Sequence, residues 1–173
     1  MASDDTEDAR VAPRVSRRDF IKIGSATTLA SGLPVAAQNR PAPKPDAYPV
    51  KDVAELATLK PDAPVAFTYP DEGSPAMLLR MKQAVAGGVG PDNTIVAFSV
   101  LCTHKGCPVS YRPERKLLIC PCHWSSFDPA KAGQMVIGQG SEPLPRIALR
   151  VQGNTIQAVG VEGLIYGRHT NIL

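Results

Sequence analysis

Short runs of apolar and β-branched residues, separated by Gly, Pro and Asn, dominate the chain after its first 60 or so residues. These runs predict strands at residues 64–69, 76–82, 94–101, 116–119, 135–137, 146–151 and 155–159, with a turn at Gly153-Asn154. Residues 94–101 are apolar on both faces, which indicates a buried strand. Residues 53–59 predict a short helical turn instead. Many short strands with little helix favour an all-β sandwich or barrel.

The N-terminus has the character of a targeting segment. The sequence Ser-Arg-Arg-Asp-Phe-Ile-Lys at 16–22 precedes a weakly apolar stretch, 23–35, and two alanines. This order predicts a twin-arginine export signal over residues 1–37, which would carry the folded protein to the periplasm. An ordinary amphipathic helix is the alternative. Because a spanning helix needs roughly 20 strongly apolar residues, we expect no stable membrane span and favour cleavage near Ala37.

Composition and charge narrow the possible functions. The net charge is only +3, and no run of Lys or Arg alternates with aromatic residues, so we do not expect nucleic-acid binding. The prolines of residues 38–49 predict an extended arm, because proline fixes φ and lacks an N–H donor. Residues 50–173 are then the folded domain. No residue has the surroundings of a nucleophile or a general base, so we expect no independent catalytic residues in this chain.

All four cysteines lie close together, in two short segments that also contain histidine. These segments are Cys102-Thr103-His104-Lys105-Gly106-Cys107 and Cys120-Pro121-Cys122-His123. Thiolate and imidazole ligands suit an iron–sulfur centre or zinc. Zinc sites usually pair Cys with Cys and His with His. Mixing the two in each segment suits a binuclear cluster instead, because each segment must reach both irons. A structural zinc site and two plain disulfides are the alternatives.

The pattern C-x-H-x-x-C followed by C-x-C-H resembles that of the Rieske proteins. The resemblance implies a [2Fe–2S] cluster that carries one electron at a time, with the ligands Cys102, His104, Cys120 and His123. It also implies a disulfide between Cys107 and Cys122. The implied fold is an antiparallel β-sandwich with a small cluster-binding subdomain, here at about 99–145. A proline-containing loop covers the cluster in this family, and residues 140–145, with Pro143, stand at the matching place.

One departure from the family pattern follows the second histidine. Quinol-oxidising Rieske proteins typically have Gly-Ser there and a nearby Tyr that donates to a ligand sulfur, whereas this chain has Trp124-Ser125 and Phe127. Phe127 lacks the hydroxyl donor, but Ser125 can still donate to a bridging sulfide. Because hydrogen bonds to sulfur tune the potential, we expect a reduction potential between those of ferredoxin-like centres and the most oxidising Rieske centres.

A closer resemblance is to the small subunits of arsenite oxidases. It rests on the twin-arginine signal, on residues 120–134, which begin Cys-Pro-Cys-His-Trp-Ser-Ser-Phe-Asp, and on the ending at 163–173. It implies an electron-transfer subunit that accepts electrons from a large molybdopterin and iron–sulfur subunit and passes them to a cytochrome c or a cupredoxin. The Rieske subunit of a quinol–cytochrome c oxidoreductase is the alternative. The third histidine, His169, lies outside both motifs and is not expected to be a ligand.

Overall fold

Ten strands and two short 3₁₀-helices form the part of the protein that the computed structural model describes, residues 48–172. The predicted signal at 1–37 and nearly all of the predicted arm at 38–49 lie outside the described residues. The strands are β1 (Lys51–Glu55), β2 (Val65–Thr68), β3 (Pro75–Arg80), β4 (Ile95–Ser99), β5 (Ser110–Arg112), β6 (Leu117–Ile119), β7 (Ser126–Asp128), β8 (Gln134–Ile137), β9 (Arg146–Gln152) and β10 (Thr155–Glu162). The all-β prediction is therefore confirmed. Within these residues no helix has the length and apolar character needed to cross a bilayer.

The strands form two antiparallel sheets. The larger sheet has the order β1-β10-β9-β4-β3-β2, and the smaller has the order β5-β6-β7-β8. Strands β4 and β9 are neighbours in the larger sheet, although the whole smaller sheet lies between them in the sequence. The smaller sheet is therefore a local meander inserted between two paired strands. The cysteine-containing segments lie just before this meander and within it.

Strand β4 is buried on both faces and joins the two cores of the protein. Val96 and Phe98 contact a core shared with the smaller sheet, which includes Leu118. Ile95 and Ala97, which point the other way, contact a second core within the larger sheet. Since successive side chains of a strand point to opposite faces, a strand covered on both sides is largely apolar, as residues 95–98 are, with Ser99 the buried polar residue at its end. This arrangement explains the continuous apolar run that predicted β4 correctly.

The sequence pattern does not predict β1, β5 or β7. Strands β5 and β7 have three residues each and contain mostly polar side chains, and both pair with the apolar strand β6. The predicted helical turn at 53–59 is wrong over its first half, where the chain continues β1 to Glu55 before the 3₁₀-helix Leu56–Thr58 begins. Strand β1 forms because it pairs with β10. Partners supplied by tertiary structure override the weak local preference in each case.

Candidate metal centre

Two loops at one end of the smaller sheet carry the predicted site residues. The first loop, Cys102–Cys107, lies between β4 and β5, and the second loop, Cys120–Ser125, joins β6 to β7. The adjacent strand ends are in register, because Ile119 pairs with both Ser110 and Ser126. The two segments that the sequence singles out are therefore brought side by side.

The two loops have the same backbone hydrogen bonds. In the first loop, the Gly106 N–H donates to the Cys102 carbonyl (2.8 Å) and the Cys102 N–H donates to the Cys107 carbonyl (3.0 Å). In the second loop, the Trp124 N–H donates to the Cys120 carbonyl (3.0 Å) and the Cys120 N–H donates to the Ser125 carbonyl (2.8 Å). This equivalence was not predicted from the sequence, although one signal for it is that Gly106 and Trp124 both stand four residues after a cysteine.

Both loops turn through a residue with positive φ. Gly106 has a φ of 71° and Trp124 a φ of 60°. Glycine adopts this conformation freely, whereas for other residues it is uncommon and costs on the order of 1–3 kcal/mol. The Trp124 side chain is largely exposed. Contacts elsewhere in the second loop, and not the preference of tryptophan, must therefore hold this backbone conformation.

The cysteines Cys102 and Cys120 are free thiols, each only 1% exposed. Burial raises the pKa of the Cys102 thiol, while hydrogen bonds from the backbone N–H groups of His104 and Lys105 oppose the increase. A buried sulfur beside backbone N–H groups is suited to carry negative charge when a cation compensates it. Cys102 therefore fits the role of a thiolate ligand, and Cys120 is an equally buried free thiol.

The two predicted histidine ligands lie together and nearer the surface. The His104 and His123 rings meet edge to face, with centroids 4.6 Å apart and an interplanar angle of 79°. His104 is half-buried and His123 is exposed. The His104 Nδ1 atom is buried and has no hydrogen-bond partner among the described residues. Burial, followed by the charges of His123 and Lys105, lowers the pKa of His104. A neutral imidazole with a buried, unpartnered nitrogen is suited to bind a metal.

The donor atoms fit a binuclear cluster better than a single zinc ion. Four ligands at 2.0–2.3 Å from one zinc would lie within about 4 Å of one another. Within residues 48–172, no three donor atoms taken from Cys102, His104, Cys120 and His123 lie within 4.8 Å of one another. A cluster of two irons can bind two sulfurs and two imidazoles that do not converge on one point. The structural zinc alternative is therefore disfavoured.

Cys107 and Cys122 form a disulfide that joins the two loops. The Cys120 sulfur lies within 4.8 Å of both disulfide sulfurs. This group of three sulfur atoms is not a metal site, because disulfide sulfurs are not thiolates. The alternative of two disulfides does not hold in the structure either, since Cys102 and Cys120 remain free.

Ser125 and Phe127 both lie in the interior beside the two loops. Ser125 is fully buried, and its Oγ accepts a hydrogen bond from the Gln139 N–H (2.9 Å), which leaves the hydroxyl proton free to be donated. Phe127 is also fully buried and belongs to the same core as Cys102 and Cys120. These positions are compatible with the roles that the sequence predicts.

The proline-containing loop at 140–145 contacts the first loop through a residue that the sequence analysis missed. The Thr103 hydroxyl donates to the Glu142 carbonyl (2.8 Å), and the Ser141 hydroxyl donates to the Thr103 carbonyl (3.3 Å). Pro143 itself is exposed. No pattern in the sequence predicts a contact between residues almost 40 positions apart.

Buried thiols, paired imidazoles and a disulfide between two loops of an all-β fold define a class of iron–sulfur proteins that transfer electrons. The family model for the Rieske [2Fe-2S] domain matches residues 47–148. This chain belongs to the Rieske family, and a [2Fe–2S] cluster is its cofactor.

Similarity to individual proteins extends beyond the domain. The chain is 38% identical over 161 residues to "Iodate reductase subunit IdrB" of Denitromonas iodatirespirans, which covers 91% of this chain and 86% of that relative. The chain is 41% identical over 58 residues to the cytochrome bc1 complex Rieske iron-sulfur subunit of Streptomyces lividans, which covers 33% of this chain and 34% of that one. The soluble domain of Rieske protein II from Sulfolobus acidocaldarius has a TM-score of 0.61 and 25% identity, with 70% of this chain and 82% of that chain covered. The chain is thus similar to electron-transfer subunits of oxidoreductases, but these relatives do not single out arsenite oxidase.

Proposed function

We propose that this chain is the Rieske electron-transfer subunit of a periplasmic molybdopterin oxidoreductase whose large subunit oxidises arsenite. In this proposal Cys102 and Cys120 bind one iron, and His104 and His123 bind the other. The observation that carries the electron-transfer role is the pairing of two buried free thiols with two imidazoles that lie nearer the surface. When bound, the cluster accepts and donates one electron.

Each residue of the site has a role that its surroundings support. The core around Cys102 and Cys120 excludes water from the sulfur side of the site. His123 is exposed, so the imidazole side is accessible to a redox partner. The disulfide between Cys107 and Cys122 holds the two loops together. The buried Ser125 hydroxyl accepts a hydrogen bond from the Gln139 N–H, so its own proton remains available for donation, which supports a role in stabilising a negatively charged cluster.

The arsenite assignment depends on resemblance. It is supported by residues 120–134, by the ending at 163–173 and by the twin-arginine pattern, which also supports export to the periplasm. The electron would then pass from the large subunit to this chain and on to a cytochrome c or a cupredoxin.

Iodate reduction is a second candidate, because an iodate reductase subunit is similar over 91% of this chain. Electrons would then flow in the opposite direction, towards the large subunit. A quinol-oxidising role has less support, because the similarity to a cytochrome bc1 subunit covers a third of the chain and Phe127 lacks the hydroxyl typical of that group.

One experiment on the native complex, purified through an affinity tag on this chain, distinguishes these functions. Arsenite is added to the oxidised complex, and iodate is added to the chemically reduced complex. Electron paramagnetic resonance then follows the reduced Rieske signal. We expect arsenite to generate the signal and iodate to leave it unchanged. Loss of the signal with iodate alone would support the second candidate. Co-purification of a cytochrome b with reduction by a quinol would contradict both.

A matched pair of histidine variants tests the proposed ligands in the same complex. His123→Ala should abolish the Rieske signal and lower the iron content. His169→Ala removes an exposed histidine outside both motifs and should leave both unchanged. Zinc in place of iron in the purified complex would overturn the electron-transfer proposal itself.

A further inference from the structure

The C-terminal segment at 163–171, here called the C-terminal strap, is held by side-chain hydrogen bonds although it contains no helix or strand. Its ends are joined by Asn171, whose Oδ1 accepts a hydrogen bond from the Ile165 N–H (2.9 Å) and whose Nδ2 donates to the Gly163 carbonyl (2.7 Å). Asn171 and Ile165 are both buried. The strap is thus closed on itself by a buried side chain that satisfies two backbone groups.

The strap is also attached to the larger sheet. The Arg168 guanidinium donates two hydrogen bonds to the Asp71 carboxylate, at 2.6 and 2.8 Å. Asp71 lies in the turn between β2 and β3. Bidentate pairs of this kind fix the relative orientation of the two side chains better than a single hydrogen bond does. Tyr166 stands between the buried Ile165 and this ion pair, and its backbone is therefore held on both sides.

The ring of Tyr166 lies on the first loop. A Cβ atom built on Gly106 would come within 2.6 Å of Tyr166 Cδ1 and 2.7 Å of Cε1. Real Cβ atoms do not approach other atoms so closely, so the ring packs directly on the bare backbone of Gly106. This is the residue whose N–H closes the first loop by donating to the Cys102 carbonyl.

The first loop has less support from strands than the second. The second loop closes a regular hairpin, since Ile119 and Ser126 at its two ends are paired strand residues. The first loop is closed by an isolated bridge between Leu101 and Pro108 that belongs to no strand. The first loop is instead contacted from outside, at Thr103 by Ser141 and Glu142 and at Gly106 by the Tyr166 ring.

We propose that Tyr166 is a positioning residue for the iron–sulfur centre, and that the C-terminal strap clamps the first loop in the conformation that presents Cys102 and His104. The proposal rests on the proposed function in that these two residues are the ligands. It requires only the aromatic ring, because the contact with Gly106 is made by the ring carbons Cδ1 and Cε1 of Tyr166. The role is to restrict the motion of one loop and not to contact the cluster.

The test compares Tyr166→Ala with Tyr166→Phe and with Leu164→Ala in the native complex. Leu164 is an apolar residue of the same strap with similar exposure, 46% against 39% for Tyr166, and serves as the matched control. Two properties are measured: amide hydrogen exchange of residues 102–107, and the rate at which dithiothreitol reduces the disulfide between Cys107 and Cys122. We expect Tyr166→Ala to accelerate both by about tenfold or more, while the second loop exchanges at its normal rate.

Rescue by the conservative variant separates positioning from general stability. Tyr166→Phe and Leu164→Ala should behave as wild type in both measurements, and only Tyr166→Ala should broaden the Rieske resonance signal. Unchanged loop exchange in Tyr166→Ala, or equal acceleration of both loops, would overturn the proposal. Hydrogen exchange is readable whatever metal is bound, so failure here is distinct from failure of the proposed function.

A coupling experiment covers the case in which Tyr166→Ala assembles poorly. Gly106→Ala should accelerate first-loop exchange strongly in the wild-type background, because its methyl group collides with the Tyr166 ring and because the positive φ at this position strains any residue other than glycine. In a Tyr166→Leu background, where the ring is absent, the same substitution should have a smaller effect. Equal effects in both backgrounds would show that the two residues do not interact and would contradict the clamp.

Discussion

The hydroxyl of Tyr111 offers a quantitative test of how the two sheets are held together. Tyr111 belongs to β5 of the smaller sheet, is only 6% exposed, and donates a hydrogen bond to Asp62 Oδ1 at 2.9 Å. Asp62 precedes β2 of the larger sheet and also pairs with Lys82, at 3.0 Å. Tyr111→Phe removes the hydroxyl and keeps the ring. Hydrogen bonds to charged groups contribute about 1.5–3 kcal/mol, and Lys82 still compensates the carboxylate, so we expect a loss near the lower end, about 1.5 kcal/mol.

The effect of Tyr111→Phe should depend on pH. Hydrogen bonds from Lys82 and, secondly, from Tyr111 hold the pKa of Asp62 below its ordinary value of 3.8. Because the pKa is lower in the folded state than in the unfolded one, the contribution to stability is complete above the unfolded value and is lost as pH falls through the folded value. The difference between wild type and Tyr111→Phe should therefore be constant near neutral pH and should shrink in acid below pH 3.8.

Urea unfolding of wild type and Tyr111→Phe, from neutral pH down through the acid range, measures both quantities. Acid effects common to the two proteins cancel in the difference. The control is Tyr166→Phe, which removes a hydroxyl without a partner in the described residues and should change the free energy of unfolding by less than about 0.5 kcal/mol. Asp62→Asn completes a double-mutant cycle. A Tyr111→Phe loss no larger than that of the control, or a loss that persists undiminished in acid, would show that the bond from Tyr111 to the charged Asp62 does not stabilise the fold.

Two further predictions concern the metal centre. Replacing both Cys107 and Cys122 by Ala removes a disulfide that closes a sequence separation of 15 residues. In the chain-entropy model this should lower the free energy of unfolding by about 3 kcal/mol. A loss below about 1 kcal/mol in urea unfolding would contradict the prediction. In the proposed site Ser125 donates to the cluster, so Ser125→Ala should lower the reduction potential by roughly 60 mV if that donor is worth about 1.4 kcal/mol more in the reduced state. Protein-film voltammetry measures it. The control Ser126→Ala loses a hydroxyl that already donates to the Trp124 carbonyl (3.2 Å) and should leave the potential unchanged, so equal shifts in the two variants would argue against the role of Ser125.

Features that depend on residue type and local spacing could be predicted from the amino-acid sequence. The ligand candidates follow from the mixing of Cys and His in each of two short segments, because metal chemistry selects side chains directly. The disulfide partners follow from the family resemblance of the same segments, and the structure contains that disulfide. Strands such as β4, β9 and β10 could be predicted because their apolar side chains are the ones that the fold buries, and the pattern of those side chains is visible in the sequence.

Features that depend on a partner far away in the chain become visible in the folded structure alone. Strands β1, β5 and β7 carry little apolar pattern and form because β10 and β6 offer them hydrogen bonds. The contact of Tyr166 with Gly106 and the bond from Tyr111 to Asp62 join residues far apart in the chain. Neither the glycine at position 106 nor the hydroxyl of Tyr111 indicates in the sequence which residue it will contact, because the partner comes near only in the folded chain. For this reason the chemistry of the site could be predicted from the sequence, and the contacts that hold its loops could not.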